Sequence, residues 1–491
     1  MVSIWAVALV APALMIALVD WRKGLYALLV VAFLQDPARK LEPSQPVYFV
    51  ILVAIVFAAV YVRAQLGSRF TLSRIAGWNT FLRTPFNLFL ILLFAQALNS
   101  VVRYGNPIIA GIGILSYLAP LPAMLLGYHF AARSGLPAVK RWLASYLVAA
   151  VIVLPSILLE YSGVEWQTLG QVGEGFYMYT DTAVLTAFSG FFRASETAAW
   201  HTASAVCLLL LFSSMRKLSL KQVVLAVAMI VALLTIGALT GRRKIFVEVV
   251  IFMSCYVSLL LWFGKGGLKL ASAVFIGGVL VYALVIGADI NESKDLAELD
   301  AGRFHEYAGR TASVGEDIWE RAIFMGLQPV EWAVTTYGFL GGGLGIGSQG
   351  AQHFGGGAEV YGGSSEGGLG KITAELGVPG LLLVLWMGYR AIRYAWEVLL
   401  YVSRRSSSVA RLAYGLLAFL IANLAVFFVA TQLFGDLFVL ILLGLMLGFF
   451  LATPILAERA QVQTEGRHAP AVAGRPSGRG RGGIAQGVRR S

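Results

Sequence analysis

Residues 222–240 read QVVLAVAMIVALLTIGALT, residues 241–244 read GRRK, and residues 245–263 read IFVEVVIFMSCYVSLLLWF. Each apolar run is long enough, as a helix rising 1.5 Å per residue, to cross the ~30 Å hydrocarbon core of a bilayer. A four-residue polar joint therefore links two membrane-spanning helices. Working outward, apolar runs of this kind recur near 2–19, 24–36, 47–62, 86–102, 108–130, 142–159, 197–214, 270–288, 372–389, 412–430 and 437–453. The run 24–36 is short, and fits a tilted, re-entrant or interfacial helix as well as a span. The chain is 58% hydrophobic and 13% charged over 491 residues, too little charge for a soluble protein of this length. The expected fold class is all-α: a polytopic transmembrane bundle of about 12–13 spans, with one large extracytoplasmic loop.

Orientation follows from Lys and Arg, which collect in cytoplasmic loops. One set of alternate connectors carries Arg63, Arg69, Arg74 and Arg83, then Arg133, Lys140 and Arg141, then Arg216, Lys217 and Lys221, then Lys265 and Lys269, then Arg390 to Arg411. These belong inside. Met1 to Val19 has no basic residue before its apolar run, and Asp20-Trp21-Arg22-Lys23 follows it. This is the pattern of a retained first helix rather than a cleaved leader. The membrane bundle is expected over 1–453, including a large outer loop at 289–371. A basic tail over 454–491, rich in Gly, Pro and Ser, is expected to be disordered and cytoplasmic. Its partner is membrane lipid rather than nucleic acid, since a basic segment beside a membrane meets anionic headgroups. Cys207 and Cys255 lie apart in apolar runs, which argues against a disulfide framework or a thiolate metal site.

The joint Gly241-Arg242-Arg243-Lys244 falls on the outer side and runs against the charge rule. Either the topology is shifted by one span and this is an ordinary cytoplasmic turn, or the cations form an anion site at a membrane face. Guanidinium groups bind phosphate oxygens in bidentate pairs that strengthen at low dielectric. Arg193, just before a span, and Arg303, Arg310 and Arg321 in the large loop are either solvated or ion-paired locally, or line one cationic cavity with Arg243. The glycine-rich stretch Gly341 to Gly368 lacks the strand and the Gly-Lys-Ser/Thr of a nucleotide loop. It fits a lid, or close backbone packing over a cavity, better than a phosphate loop. Candidate bases are His353, Glu366, Glu375, His305 and Glu196, each of which is otherwise an exposed polar residue. Aromatics such as Trp200, Trp332 and Tyr337 suit sugar rings, or else belong to the interfacial belt.

Three places resemble the O-antigen polymerase and O-antigen ligase superfamily of bacterial membrane glycosyltransferases. Leu239-Thr240-Gly241-Arg242-Arg243 is similar to that family's Leu-Thr-Gly-Ser-Arg-Gly segment, with Arg243 in the arginine's place. Arg321, Trp332 and the Gly341 to Gly347 run resemble its loop arginine and Gly-x-Gly-x-Gly element. Glu375-Leu376-Gly377-Val378-Pro379-Gly380-Leu381 is similar to its Glu-x-Gly-x-x-Gly-Leu signature.

The resemblance implies a GT-C-like helical fold in the inner membrane and a polyprenyl-diphosphate-linked glycan donor. It implies no nucleotide sugar, cofactor or obligatory metal. A chain-length regulator protein is an expected partner. The reaction expected is polymerisation of lipid-linked repeats into O-antigen or exopolysaccharide. Arg243 and Arg193 would neutralise the leaving diphosphate, with Arg242 and Arg321 assisting. Glu366 or His353 would take the hydroxyl proton, and Trp332 and Glu196 would contact substrate. The ligases' histidine before the Glu-x-Gly signature is replaced here by Glu366-Gly367, which favours the polymerase. The rivals are a ligase that transfers finished glycan to a lipid or protein acceptor, and a transporter or flippase for the same lipid-linked glycan. A transporter should carry ionisable residues at mid-membrane depth.

Overall fold

The computed structural model of the protein describes residues 3–46, 48–172, 177–179, 184–215, 218–264, 322–348 and 367–468. Over these residues it is a helical membrane bundle. The first half contains α1 (Ile4–Val19), α2 (Trp21–Lys40), α3 (Phe49–Gly67), α4 (Arg83–Tyr104), α5 (Pro107–Leu118), α6 (Pro120–Val153), α7 (Ser156–Tyr161), α8 (Ser195–Met215), α9 (Leu220–Leu239) and α10 (Lys244–Phe263). The second half contains α11 (Gln328–Tyr337), α12 (Gly368–Arg405), α13 (Ser407–Val429), α14 (Leu437–Leu451) and α15 (Thr453–His468). Polar side chains set several starts by accepting from the exposed amides of the first turn. Asp20 caps α2, Asn106 caps α5, Ser219 and Gln222 form a capping box on α9, and Asp436 caps α14.

Eight helical segments among the described residues are long and apolar enough to cross a membrane, and the bent pair Leu437–Leu451 with Thr453–Gln463 makes a ninth. The sequence led to thirteen, and each of the other four has a physical explanation. Helix α1 has only 16 residues. Helix α2 is charged at both ends. Residues 107–161 form one continuous apolar segment of 55 residues, long enough for two crossings, and its backbone breaks at Gly135 (φ 77°, ψ 176°). The run 270–288 lies outside the described residues.

The apolar surface left outside the bundle agrees with a membrane location. Val19, Leu66, Phe94, Ile152, Trp262 and Ile392 are all more than two-thirds exposed. Exposed apolar side chains spread around a whole bundle indicate lipid as the solvent.

The expected all-α class holds, with one short antiparallel hairpin that pairs β1 (Tyr177–Tyr179) with β2 (Val184–Thr186). One expectation is corrected in detail. The tail 454–491 was expected to be disordered from its start, yet 453–468 is helix α15. The chain bends by 44° between α14 and α15. Leu456 and Ala457 are then buried, and α15 packs on α12 and α13. Two apolar residues in the first turn carry this packing, which the tail's average composition concealed. Residues 469–491 lie outside the described residues.

The alternate connectors sort into two groups that touch only within themselves in the contacts below. In one, Arg63 bonds to Leu18, His129 to Ser68, Tyr128 to Arg74, Arg390 to Phe81 and Arg411 to Ser214. In the other, Lys40 bonds to Gly190, Arg193 to Asp436 and Arg242 to Glu196. These are the two ends of the bundle, and the candidate site lies at the second.

Candidate functional site

The site is built around the turn from Ser189 to Arg193, which a ring of side chains fixes from both sides. Glu160 accepts from the amides of Ser189 (2.9 Å) and Gly190 (2.6 Å), and the Ser156 hydroxyl accepts from Phe191 (2.9 Å). The Lys40 ammonium donates to the carbonyls of Gly190 (2.8 Å) and Phe192 (2.6 Å). Asp36 accepts from the Arg193 amide at 2.9 Å. Gly190 adopts φ +57°, and a Cβ there would run into the Ser156 hydroxyl and the Ile157 amide. Asp36 and Lys40 sit in the last turn of α2 and are 4% and 2% exposed. Buried charges persist where hydrogen bonds compensate their lost hydration.

This anchorage aims Arg193 at Asp436, with Nη2 and Oδ2 3.1 Å apart. Asp436 also caps α14 through its Oδ1, which accepts from Phe438 at 2.8 Å and Val439 at 3.2 Å. One carboxylate thus holds a helix start and a guanidinium together. Burial works against the charge on Arg193, but Asp436, Asp36 and Glu196 around it more than offset this. Its pKa is raised above the usual guanidinium value.

Three residues further on, Glu196 pairs with Arg242 at 2.8 Å, and the Ser195 hydroxyl accepts from Arg242 Nε at 2.9 Å. The polar joint between α9 and α10 and the start of α8 therefore meet. Beside this pair runs a narrow cleft of about 20 Å³, room for a water or a hydroxyl, bounded by α8, α10 and α13, with Arg242, Lys244, Glu196, Trp200 and Glu248 in its wall. Arg243 is half-buried at the N-cap of α10. The positive end of the α10 dipole faces this joint and adds to its preference for anions.

The glycine run serves a different purpose. Residues 339–347 thread between α4, α5 and α12. Gly342 donates to the Ala374 carbonyl (2.7 Å), Leu344 to the Gln96 carbonyl (3.1 Å) and Val378 to the Phe339 carbonyl (2.9 Å). Gly345, at φ +92°, lies so close to α5 that a Cβ would collide with the Ile109 carbonyl. Gly347 donates to Glu375 Oε1 at 3.1 Å. Lys371 and Tyr117 also face this fully buried carboxylate. Close backbone packing, one of the two readings of the glycines, describes what is found over 339–347. Glu375 is the anchor of that packing rather than a solvent-facing base.

Of the residues singled out from sequence, the fold brings Arg193, Glu196, Arg242 and Arg243 to one end. Trp332 lies elsewhere, half-buried on α11 with its ring edge-to-face with Tyr337 at 5.7 Å, and it does not line the cleft. Arg321, His353 and Glu366 lie outside the described residues. Sequence reasoning missed Asp36, Lys40, Glu160, Asp436, Glu248 and Asn423. The signal for the first four was the same one that exposed the GRRK joint, namely charge at the outer boundary of apolar runs. For the last two it was a polar side chain inside a run. Among the described residues no three His, Cys, Asp or Glu side chains come together as a metal-ligand set. No protein-family model matches this chain, and no curated protein matches it.

Proposed function

We propose that this chain is a GT-C-like glycosyltransferase of a bacterial inner membrane. It polymerises polyprenyl-diphosphate-linked oligosaccharide repeats into O-antigen or exopolysaccharide at the outer face. The observation that carries the reading is the convergence of Arg193, Arg242 and Arg243 at one end of the bundle, beside a cleft that also holds carboxylates and Trp200. A lipid-linked diphosphate presents its charge at the depth of helix ends, where these cations stand.

In this reading a hydroxyl oxygen of one repeat bonds to the anomeric carbon of the other. The bond from that carbon to the diphosphate breaks, and its electron pair leaves with polyprenyl diphosphate. Arg242 and Arg243 take up the developing charge, displacing Glu196 from Arg242. Arg193, held by Asp436, keeps the turn and the start of α8 in place. Preorganised charge in a site that excludes water is the main source of rate. Among the described residues, the buried carboxylates on the spanning helices, Glu248 and Glu375, sit one to two turns from a helix start rather than at mid-membrane, which supports surface chemistry over transport.

Glycan analysis of a deletion strain tests the proposal. Loss of long polymer with accumulation of single lipid-linked repeats on the outer face is the expected result. Finished but unattached polymer would mean a ligase, and repeats trapped on the cytoplasmic face would mean a flippase.

A further inference from the structure

A second polar group in the cleft has no part in binding the diphosphate. Glu248 lies one turn into α10, about 6 Å below the GRRK joint at 1.5 Å per residue, and is 2% exposed. It lines the cleft that Arg242 and Lys244 also line. Its partner is Asn423 on α13, whose Nδ2 donates to Glu248 Oε1 at 3.2 Å. Asn423 cannot turn over. The Trp200 indole is a donor only, and it donates to Asn423 Oδ1 at 2.6 Å. The Asn423 amide also donates to the Phe419 carbonyl at 2.9 Å. Three helices thus cooperate to hold one carboxylate against the cleft by a neutral amide.

Glu196, the other carboxylate in the cleft wall, is engaged differently. Its ion pair with Arg242 would be broken by a proton, whereas a protonated Glu248 can still accept from Asn423. We propose that Glu248 is the catalytic proton acceptor and that the acceptor sugar lies at the mouth of the cleft, with one hydroxyl reaching in toward Glu248. This rests on the glycosyl-transfer reading above. As the acceptor hydroxyl bonds to the anomeric carbon, its proton passes to Glu248. The glycosidic electron pair leaves with the diphosphate, which the arginines hold. The group that accepts the proton and the groups that accept the negative charge then stand in one cleft, one helical turn apart.

The test uses the full-length chain in vesicles, supplied with the lipid-linked repeats that accumulate in a deletion strain. Glu248→Gln keeps the shape and the bond from Asn423 but cannot hold the proton. It should lower transfer by about a hundredfold or more, the usual contribution of a positioned base, while binding of the lipid-linked repeat stays within about threefold of wild type. Arg242→Lys should instead weaken that binding. Transfer by Glu248→Gln within about threefold of wild type overturns the assignment and leaves the polymerase reading standing. A wild-type chain that makes no polymer overturns both. A second measurement on the wild-type chain covers the case of a variant that fails to insert. A hydrophobic carbodiimide should modify Glu248 and abolish transfer, and excess lipid-linked repeat should protect against both. Modification of Glu248 without loss of transfer would sink the proposal.

Discussion

Arginines stand at both ends of this bundle, and the two ends use them differently. At one end Arg63 donates to the Leu18 carbonyl (2.8 Å) and Arg411 to the Ser214 carbonyl (3.1 Å), both in the last turns of helices. Arg390 reaches the carbonyls of Thr80 and Phe81. The first two are C-terminal caps, in which a cation meets the negative end of a helix dipole, whereas Arg390 tethers the turn that opens the helix Trp78–Tyr104. At the other end Arg193 and Arg242 meet the carboxylates of Asp436 and Glu196, beside helix starts where the dipole favours anions instead. A cation at a helix C-terminus is already satisfied by the fold. A cation at a helix start stands where the dipole attracts anions: Arg242 holds there a carboxylate that another anion can replace, whereas Arg193 is kept in place by the buried Asp436. The difference separates structural arginines from candidate functional ones more sharply than exposure does.

The comparison breaks outright if the two ends share one side of the membrane. A reporter fused after Gly163 should be active only outside the cytoplasm, and one fused after Ser406 only inside. The same compartment for both would remove the basis for an outer site.

Next in size is the arginine contrast itself. Arg242→Lys should reduce polymer by tens to thousands of fold, a loss of about 2–5 kcal/mol, because an ammonium lacks the planar fork that grips two phosphate oxygens. Arg411→Lys should leave polymer within about twofold, since a single carbonyl needs only one donor. Equal effects from the two, measured as polymer length and amount at matched membrane levels, would erase the distinction.

The Arg193 pair sharpens it. Asp436→Asn keeps the cap on α14 but removes the charge facing Arg193. Breaking one side of a buried pair should cost about 3 kcal/mol, read as a lower unfolding temperature in detergent. Asp436→Ala should cost about 1 kcal/mol more for the lost cap. Identical losses would mean that the charge alone matters.

The smallest effect is expected from the tail. Removing residues 469–491 should change polymer by less than about twofold. A deletion that reaches Leu456 should lower the amount of protein in the membrane, because it strips buried packing from α12 and α13.

Much of this was legible in the sequence, and the limits have physical causes. Apolar run length located every span that the structure describes, because membrane crossing imposes a length on a helix whatever its neighbours are. The GRRK joint and Arg193 stood out because positive charge on the side expected to face outward breaks a strong statistical rule. Partners did not stand out. That Arg193 would find Asp436, or Lys40 the turn at Gly190, depends on contacts between residues 150 or more positions apart, which no local pattern encodes. Glu248 was hidden for the opposite reason, since one carboxylate in a nineteen-residue apolar run barely alters its average. The glycines were visible, but whether 339–347 formed a lid or a packed insert depended on Ser100 and Ile109, which lie far away in sequence.

That insert bears on how the chain is made. The hydrogen bond from Gln96 to the Leu340 carbonyl joins residues 244 positions apart. A ribosome adding about 5–20 residues per second needs roughly 10–50 s to cover that distance. For that time the segment that packs against α4 and α5 is missing, and the Gln96 carbonyl waits for the Leu344 amide. The nascent protein therefore passes through an incomplete form. The glycines are what eventually allow it to close.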